Sequence, residues 1–244
     1  MTLDMSAALQ AALALWRRER DLLVRIAAPF LFLPLYATLL LASVPEIPEG
    51  GVAPGDVEAA RAVFDGYIAL APWSLSAAVL GMFGAATIYA LVLRGKPTVG
   101  EAMRLALARF AMFVLAMVVA RLIIGAGMLL LVVPGLYLLG RCYLLGPVLM
   151  VEPKLGPIEA ISRSFDLTRR HAWTLMFVSV AIWLTGNVLS SIPSAMAGAI
   201  GGAGGSPVAN IVLMAVTAAI SMAASIADIL VKIAVYRQLA KSGR

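Results

Sequence analysis

Charge is scarce in this chain. Only 13% of its 244 residues are charged, against about 25% in an ordinary soluble domain. Hydrophobic residues make up 62% of the chain, and the mean hydropathy is +0.96. No soluble core hides that much apolar surface, so the solvent for most of this chain is lipid. That excludes a soluble enzyme, a disordered chain and a disulfide scaffold. Cysteine and histidine are almost missing. Cys142 sits alone inside an apolar run, so neither a disulfide framework nor a thiolate metal cluster can form. His171, also alone, cannot build a histidine metal site. The chain has no GxSxG, HExxH, Walker A, glycine-rich dinucleotide or CxxC motif. The apolar regions hold no carboxylate pair for acid–base work. We therefore expect no cofactor, no metal and no enzymatic activity.

What is present is a series of long apolar runs. A helix needs about 20 mostly apolar residues to cross a hydrocarbon core of about 30 Å. Six stretches meet this, at 22–44, 67–93, 106–124, 128–151, 172–192 and 208–236. Phe110–Val151 is interrupted only by Arg121 and Arg141 and must hold two spans. Its break falls at Gly125-Ala126-Gly127 or at Pro134-Gly135. The first is favoured, because it leaves spans of similar length and makes Pro134 a kink. The Gly/Ser/Pro cluster from Gly198 to Pro207 separates the last two spans. The expected fold is all-α, one polytopic membrane domain covering 1–244.

The net charge of +6 and pI near 9.8 follow membrane sidedness rather than nucleic-acid binding. Arg17, Arg18, Arg20, Arg94, Lys96, Arg104, Arg109, Lys154, Arg163, Arg169, Arg170, Arg237, Lys241 and Arg244 fall on the side of the termini. The opposite loop carries Glu46, Glu49, Asp56, Glu58 and Asp65 against Arg61 alone. By the positive-inside rule both termini are cytoplasmic, in a bacterial inner membrane. The long polar lead before the first span reads as a retained span and not as a signal peptide.

Two connectors on the basic side look alike. In 98–105, Thr98 and Glu101 fit a capping box. In 156–170, Pro157 fits the first helical position, and Ile158, Ile161, Phe165 and Ala172 fall on one stripe. Glu159 precedes Arg163 by four residues, as Asp166 precedes Arg170, the favoured order for helical ion pairs. Both segments read as amphipathic helices lying in the interface, and 5–19 as a degenerate third copy. Small residues recur every fourth position at Ala77, Gly81 and Ala85, and at Ala215, Ala219, Ala223 and Ala227. Such stripes let helices approach closely, within the chain or across a seam with itself or another membrane protein. Trp16, Trp73 and Trp173 fit interfacial belts, and Trp183 lies deeper, where it is expected to pack.

Charge inside a span usually faces protein or water. Arg121, Arg141 and Asp228 lie 12, 11 and 9 residues from Arg109, Glu152 and Arg237, about 13–18 Å deep at 1.5 Å per residue. They are expected to meet, either as a structural pair or with one arginine left to hold an anionic group. Lys232 is close enough to the interface to snorkel. A second basic group, Arg163, Arg169, Arg170 and His171, lies at headgroup depth beside Ser162, Ser164 and Thr168. It is expected to attract anionic phospholipid.

The order Val133-Pro134-Gly135-Leu136-Tyr137-Leu138, Arg141, Gly146-Pro147-Val148-Leu149-Met150-Val151-Glu152, then Gly156–Arg169 and the terminal Val235-Tyr236-Arg237-Gln238-Leu239 resembles bacterial multi-pass proteins. These are grouped with the membrane domain of glycerophosphodiester phosphodiesterases. The resemblance covers the second half by motif and the first half by topology. It implies a stand-alone membrane module, since the phosphodiesterase activity of fused members resides in a separate barrel domain of about 250 residues. The expected function is a non-enzymatic accessory or scaffold protein that binds lipid, another membrane protein, or both. The alternative is a small transporter using Arg121, Arg141 and Asp228 along a polar path. A transporter needs a polar cavity near the midplane, and a scaffold does not.

Overall fold

In lipid, a chain must satisfy its backbone polar groups internally, and a continuous apolar segment does so as a helix. The computed structural model describes residues 3–41, 51, 53, 55–95, 98–202 and 206–242. Glu46, Glu49, Lys96 and Arg244, and part of the Gly198–Pro207 turn, lie outside the described residues. The elements are α1 (Met5–Ala27), a π-helical turn (Ala28–Phe32), α2 (Leu33–Leu41), α3 (Val57–Leu93), α4 (Val99–Leu130), α5 (Val132–Arg141), α6 (Leu145–Val151), α7 (Pro157–Thr168), α8 (Ala172–Gly202) and α9 (Pro207–Ser242). No strand occurs among the described residues. Six helical runs are long and apolar enough to cross a membrane: Met5–Leu41, Val57–Leu93, Val99–Leu130, Val132–Val151, Ala172–Ile200 and Pro207–Ala240. The protein is an all-α polytopic membrane protein.

Local chemistry sets where the helices start. Asp4 caps α1 by accepting from the Ala7 N–H (3.1 Å) and the Ser6 hydroxyl (2.8 Å). These donors hold its carboxyl below the ordinary aspartate pKa. Asp56 caps α3 through the Ala59 N–H. The Thr98–Glu101 capping box forms in full, with Glu101 Oε2 accepting from the Thr98 N–H and Thr98 Oγ1 accepting from the Glu101 N–H.

Several boundaries differ from the expectation. Segments 5–19 and 98–105 do not form separate interfacial helices. Met5–Leu41 is one helical run and Val99–Leu130 is another. The only interruption in the first run is the π turn at Pro29, whose ring nitrogen has no hydrogen for the helical ladder. The break between the third and fourth spans is at Leu131, which is extended (φ −159°, ψ 139°). Gly125-Ala126-Gly127 stays helical. Gly127 and Gly135 serve close approach instead: a Cβ on Gly127 would lie 3.0 Å from the Gly135 Cα. Pro134 is the third residue of α5, where helical N–H groups have no intrahelical partner, so it does not kink the span.

Packing is uneven along the bundle. The fully buried large side chains include Leu23, Ile88, Phe113, Leu145, Leu149 and Ile233. They cluster in the half where Arg94, Arg109 and Arg237 sit, called here the basic end. In the other half, Trp73 and Leu75 of α3 are exposed, as are Leu189 and Ile192 of α8. Gly186 lets α8 approach α9, since a Cβ there would meet the Ala224 Cβ at 2.7 Å. The stripe Ala219, Ala223 and Ala227 is not this packing face. It stays exposed, as does Trp183 at 65%. Ala77 and Gly81 do face inward, toward the first helical run.

Candidate intramembrane site

The fourth span is two helices, α5 and α6, joined by a turn at Cys142-Tyr143-Leu144. A helix C-terminus leaves carbonyls without partners, and here a neighbouring helix supplies them. The hydroxyls of Ser164 (2.8 Å) and Thr168 (3.1 Å) on α7 both donate to the Arg141 carbonyl. The Arg141 guanidinium lies 4.8 Å from the Phe165 ring centre and 5.7 Å from that of Tyr137, and it donates to the Tyr137 hydroxyl (3.3 Å). Gly140 is indispensable at this joint, because a Cβ would lie 2.0 Å from the Ala172 carbonyl oxygen.

The far end of α6 is capped by arginines. Arg94 Nε donates to the Met150 carbonyl (2.7 Å). Arg109 donates to the carbonyls of Leu149 (2.5 Å), Glu152 (3.4 Å) and Pro153. Cations at a helix C-terminus also answer its dipole. Glu152 Oε1 accepts from Arg163 (3.3 Å) and from the Tyr236 hydroxyl (3.3 Å), which ties α7 and α9 to the same end. Arg237 donates to the Val92 carbonyl (2.7 Å) and joins α9 to α3.

Asp228 is paired with Lys232, whose Nζ donates to Oδ2 at 2.5 Å. The two side chains keep 27% and 23% of their exposure. Lys232 Nζ lies 5.1 Å from the ring centre of Tyr143, the middle residue of the α5–α6 turn. Tyr143 is 4% exposed, and its hydroxyl lies close enough to Asp228 to interact with it. The pair continues a polar stripe. Asn210, Thr217, Ser221, Ser225, Asp228 and Lys232 recur at helical spacing on one face of α9.

The trio expected from depth is therefore not assembled. Asp228 meets Lys232, Arg141 meets two aromatic rings, and Arg121 is exposed on α4. Equal depth fixes height along a helix and not the direction of the side chain. The second basic group is split as well. Arg163 turns to Glu152, Arg169 and Arg170 are exposed, and His171 is half-buried. The apolar stripe of 156–170 is rotated from the one read in the sequence. Ile158 is 74% exposed, while Ala160, Ile161, Ser164 and Thr168 are buried. Neither Glu159–Arg163 nor Asp166–Arg170 forms an ion pair among the described residues.

A cavity of about 310 Å³ opens between α2, α3 and α9 in the loosely packed half. Leu31, Leu35, Ala77, Ala78, Gly81 and Met222 line it, together with Thr38, Ser74, Ser221 and Ser225. Its hydroxyls are largely turned away from the space. Thr38 donates to the Pro34 carbonyl, Ser74 to the Leu70 and Ala71 carbonyls, and Ser225 to the Ser221 carbonyl. Apart from the Ser221 hydroxyl, the wall is thus a surface of methyl and methylene groups with no charge. A second, more open groove along Ile68, Ala71, Pro72 and Leu75 shares Ser74 and Ala78 with it. The sequence stripe Ala77, Gly81 and Ala85 pointed to this face without revealing a cavity.

The chain matches no family model, no curated protein and no solved structure.

Proposed function

We propose that this protein is a non-enzymatic accessory protein of the bacterial inner membrane whose α2–α3–α9 groove holds a lipid acyl chain. The observation that carries the reading is the groove wall: an uncharged cavity of about 310 Å³ in which three of the four lining hydroxyls, those of Thr38, Ser74 and Ser225, donate to carbonyls of their own helices. Its volume falls within the range of small-ligand sites, about 300–1,000 Å³. A transported polar solute needs a wall that replaces its water, and this wall offers few free hydrogen-bonding groups. The Asp228–Lys232 pair is absent from the lining, which counts against the transporter reading. The exposed Arg169 and Arg170, with His171 beside them, supply positive charge for an anionic headgroup at the basic end. With the positive-inside rule, that end and both termini are cytoplasmic.

The test is native mass spectrometry of the protein released from nanodiscs. The wild type is expected to retain lipid, and Gly81→Leu, which fills the groove beside Leu31 (3.6 Å from a Cβ on Gly81), is expected to lose most of it. Equal lipid retention by a folded Gly81→Leu protein would refute the proposal.

A further inference from the structure

Among the described residues, Arg121 is the charge deep in a span that the fold leaves unanswered; Arg25, also exposed, lies only at the start of the first span. The Arg121 side chain is exposed, and it has no hydrogen bond, ion pair or ring contact among the described residues. Asp228 has Lys232 and Arg141 has Phe165 and Tyr137, so the bundle satisfies its other deep charges internally.

Depth removes the ordinary escape. Arg109, at the level of the α6 C-terminal carbonyls, is 12 residues earlier on α4, about 18 Å away along a straight helix. Helical side chains lean toward the N-terminus, so Arg121 leans toward that distant end. A single side chain cannot snorkel so far. In the other direction lies the α4–α5 tip, where Leu129, Leu130, Leu131, Val132 and Val133 are 60–89% exposed. That tip offers no polar surface.

An arginine in this position requires an anion supplied from outside the chain. Lipid phosphates lie at the interface, well above this depth. A second copy offers Asp228 as its acid within the spans, and Lys232 already occupies it. What remains is a carboxylate on another protein's spanning helix, which a guanidinium binds with two parallel hydrogen bonds. The surface beside Arg121 suits a helix. Gly125 is one turn along, and a Cβ there would touch nothing within 4 Å. Ala126 is exposed next to it. Small residues beside a polar anchor are what close helix approach in lipid uses.

We propose that the exposed face of α4 around Arg121, Leu122 and Gly125 docks a transmembrane helix of another membrane protein, and that this helix carries an Asp or Glu near its midpoint.

The experiment places a photo-crosslinking amino acid at Leu122 of the full chain in its native membrane. The expected adduct is a membrane protein with an acidic residue at mid-depth in one span. Arg121→Glu is expected to lower its yield at least tenfold. Replacing that acid by Arg in the partner is expected to restore the yield with the Arg121→Glu chain. Adducts with lipid alone, with a second copy, or with a protein lacking such an acid would overturn the proposal. So would no adduct, an undiminished yield in Arg121→Glu, or a failed charge swap. A second measurement guards against a structural role. Purified Arg121→Leu should unfold at the wild-type temperature, and a clear drop would mean that Arg121 serves this fold and not a partner.

Discussion

Asp228 is held by Lys232, one turn later on the same helix, with Nζ 2.5 Å from Oδ2. This i, i+4 contact places the acid before the base, the order that helical geometry favours. It lets α9 carry two charges into the membrane as a nearly neutral unit. The aromatic ring of Tyr143 beneath the ammonium ties that unit to the turn in the fourth span.

Removing one member of the pair should therefore be worse than removing both. Asp228→Ala leaves an ammonium without its counter-charge, an effect of 3–5 kcal/mol for fully buried pairs but no more than about 1 kcal/mol for exposed ones. With both side chains about one-quarter exposed, about 1–3 kcal/mol is expected. Asp228→Ala combined with Lys232→Leu should recover most of that loss. Asp228→Ala combined with Arg141→Leu should not, because those residues have different partners. Thermal unfolding in detergent of the two double variants decides it.

The turn at Cys142-Tyr143-Leu144 depends on hydroxyls from outside its own span. Ser164→Ala should cost little, because Thr168 still donates to the Arg141 carbonyl. Ser164→Ala with Thr168→Val leaves that carbonyl without either hydroxyl, a penalty of about 1–3 kcal/mol for a buried polar group. The expected signature is a double variant whose loss of unfolding temperature exceeds the sum of the single losses.

Gly140 and Gly125 should behave oppositely. A Cβ on Gly140 would fall 2.0 Å from the Ala172 carbonyl oxygen, whereas one on Gly125 meets open space. Gly140→Ala must push α5 away from α8, and overpacking against backbone belongs at or above the upper end of the usual range, about 3 kcal/mol. Gly125→Ala should be neutral or slightly stabilising, since alanine is the better helix former. Folded yield and unfolding temperature of the two variants are the measurements.

These contrasts also explain which features the sequence carried openly. Six spans were legible because lipid leaves apolar runs no alternative to helix. The Thr98–Glu101 cap was legible because its chemistry is local. The turn in the fourth span was hidden, for Cys142, Tyr143 and Leu144 include no glycine or proline, and the partners that permit the turn lie more than 20 residues away. Glycine misled at Gly127, where it marks close helix approach rather than a break. The i, i+4 rule succeeded where it was not applied, at Asp228 and Lys232. It failed at Glu159 and Arg163, because Glu152 stands nearer to Arg163 in space. Local spacing proposes partners, and packing chooses among them. The groove was illegible for the same reason, since its walls come from three helices distant in sequence.

Sidedness yields the final prediction. Arg94, Arg109, Arg163 and Arg237 are gathered by hydrogen bonds to α3, to the end of α6 and to Glu152, so they share one end of the bundle. Glu58 and Ser206 lie near the starts of α3 and α9, and Arg94 and Arg237 sit near the opposite ends of those helices. Positively charged ends are retained in the cytoplasm during insertion. Single cysteines at Glu58 and Ser206, in a Cys142→Ala background, should thus react with a membrane-impermeant maleimide added to intact spheroplasts. A cysteine at the exposed Lys154 should react only after the membrane is opened. Labelling of Lys154 from outside would reverse the orientation. It would also move Arg169 and Arg170 to the outer leaflet, leaving the proposed headgroup contact without its inner-leaflet lipid.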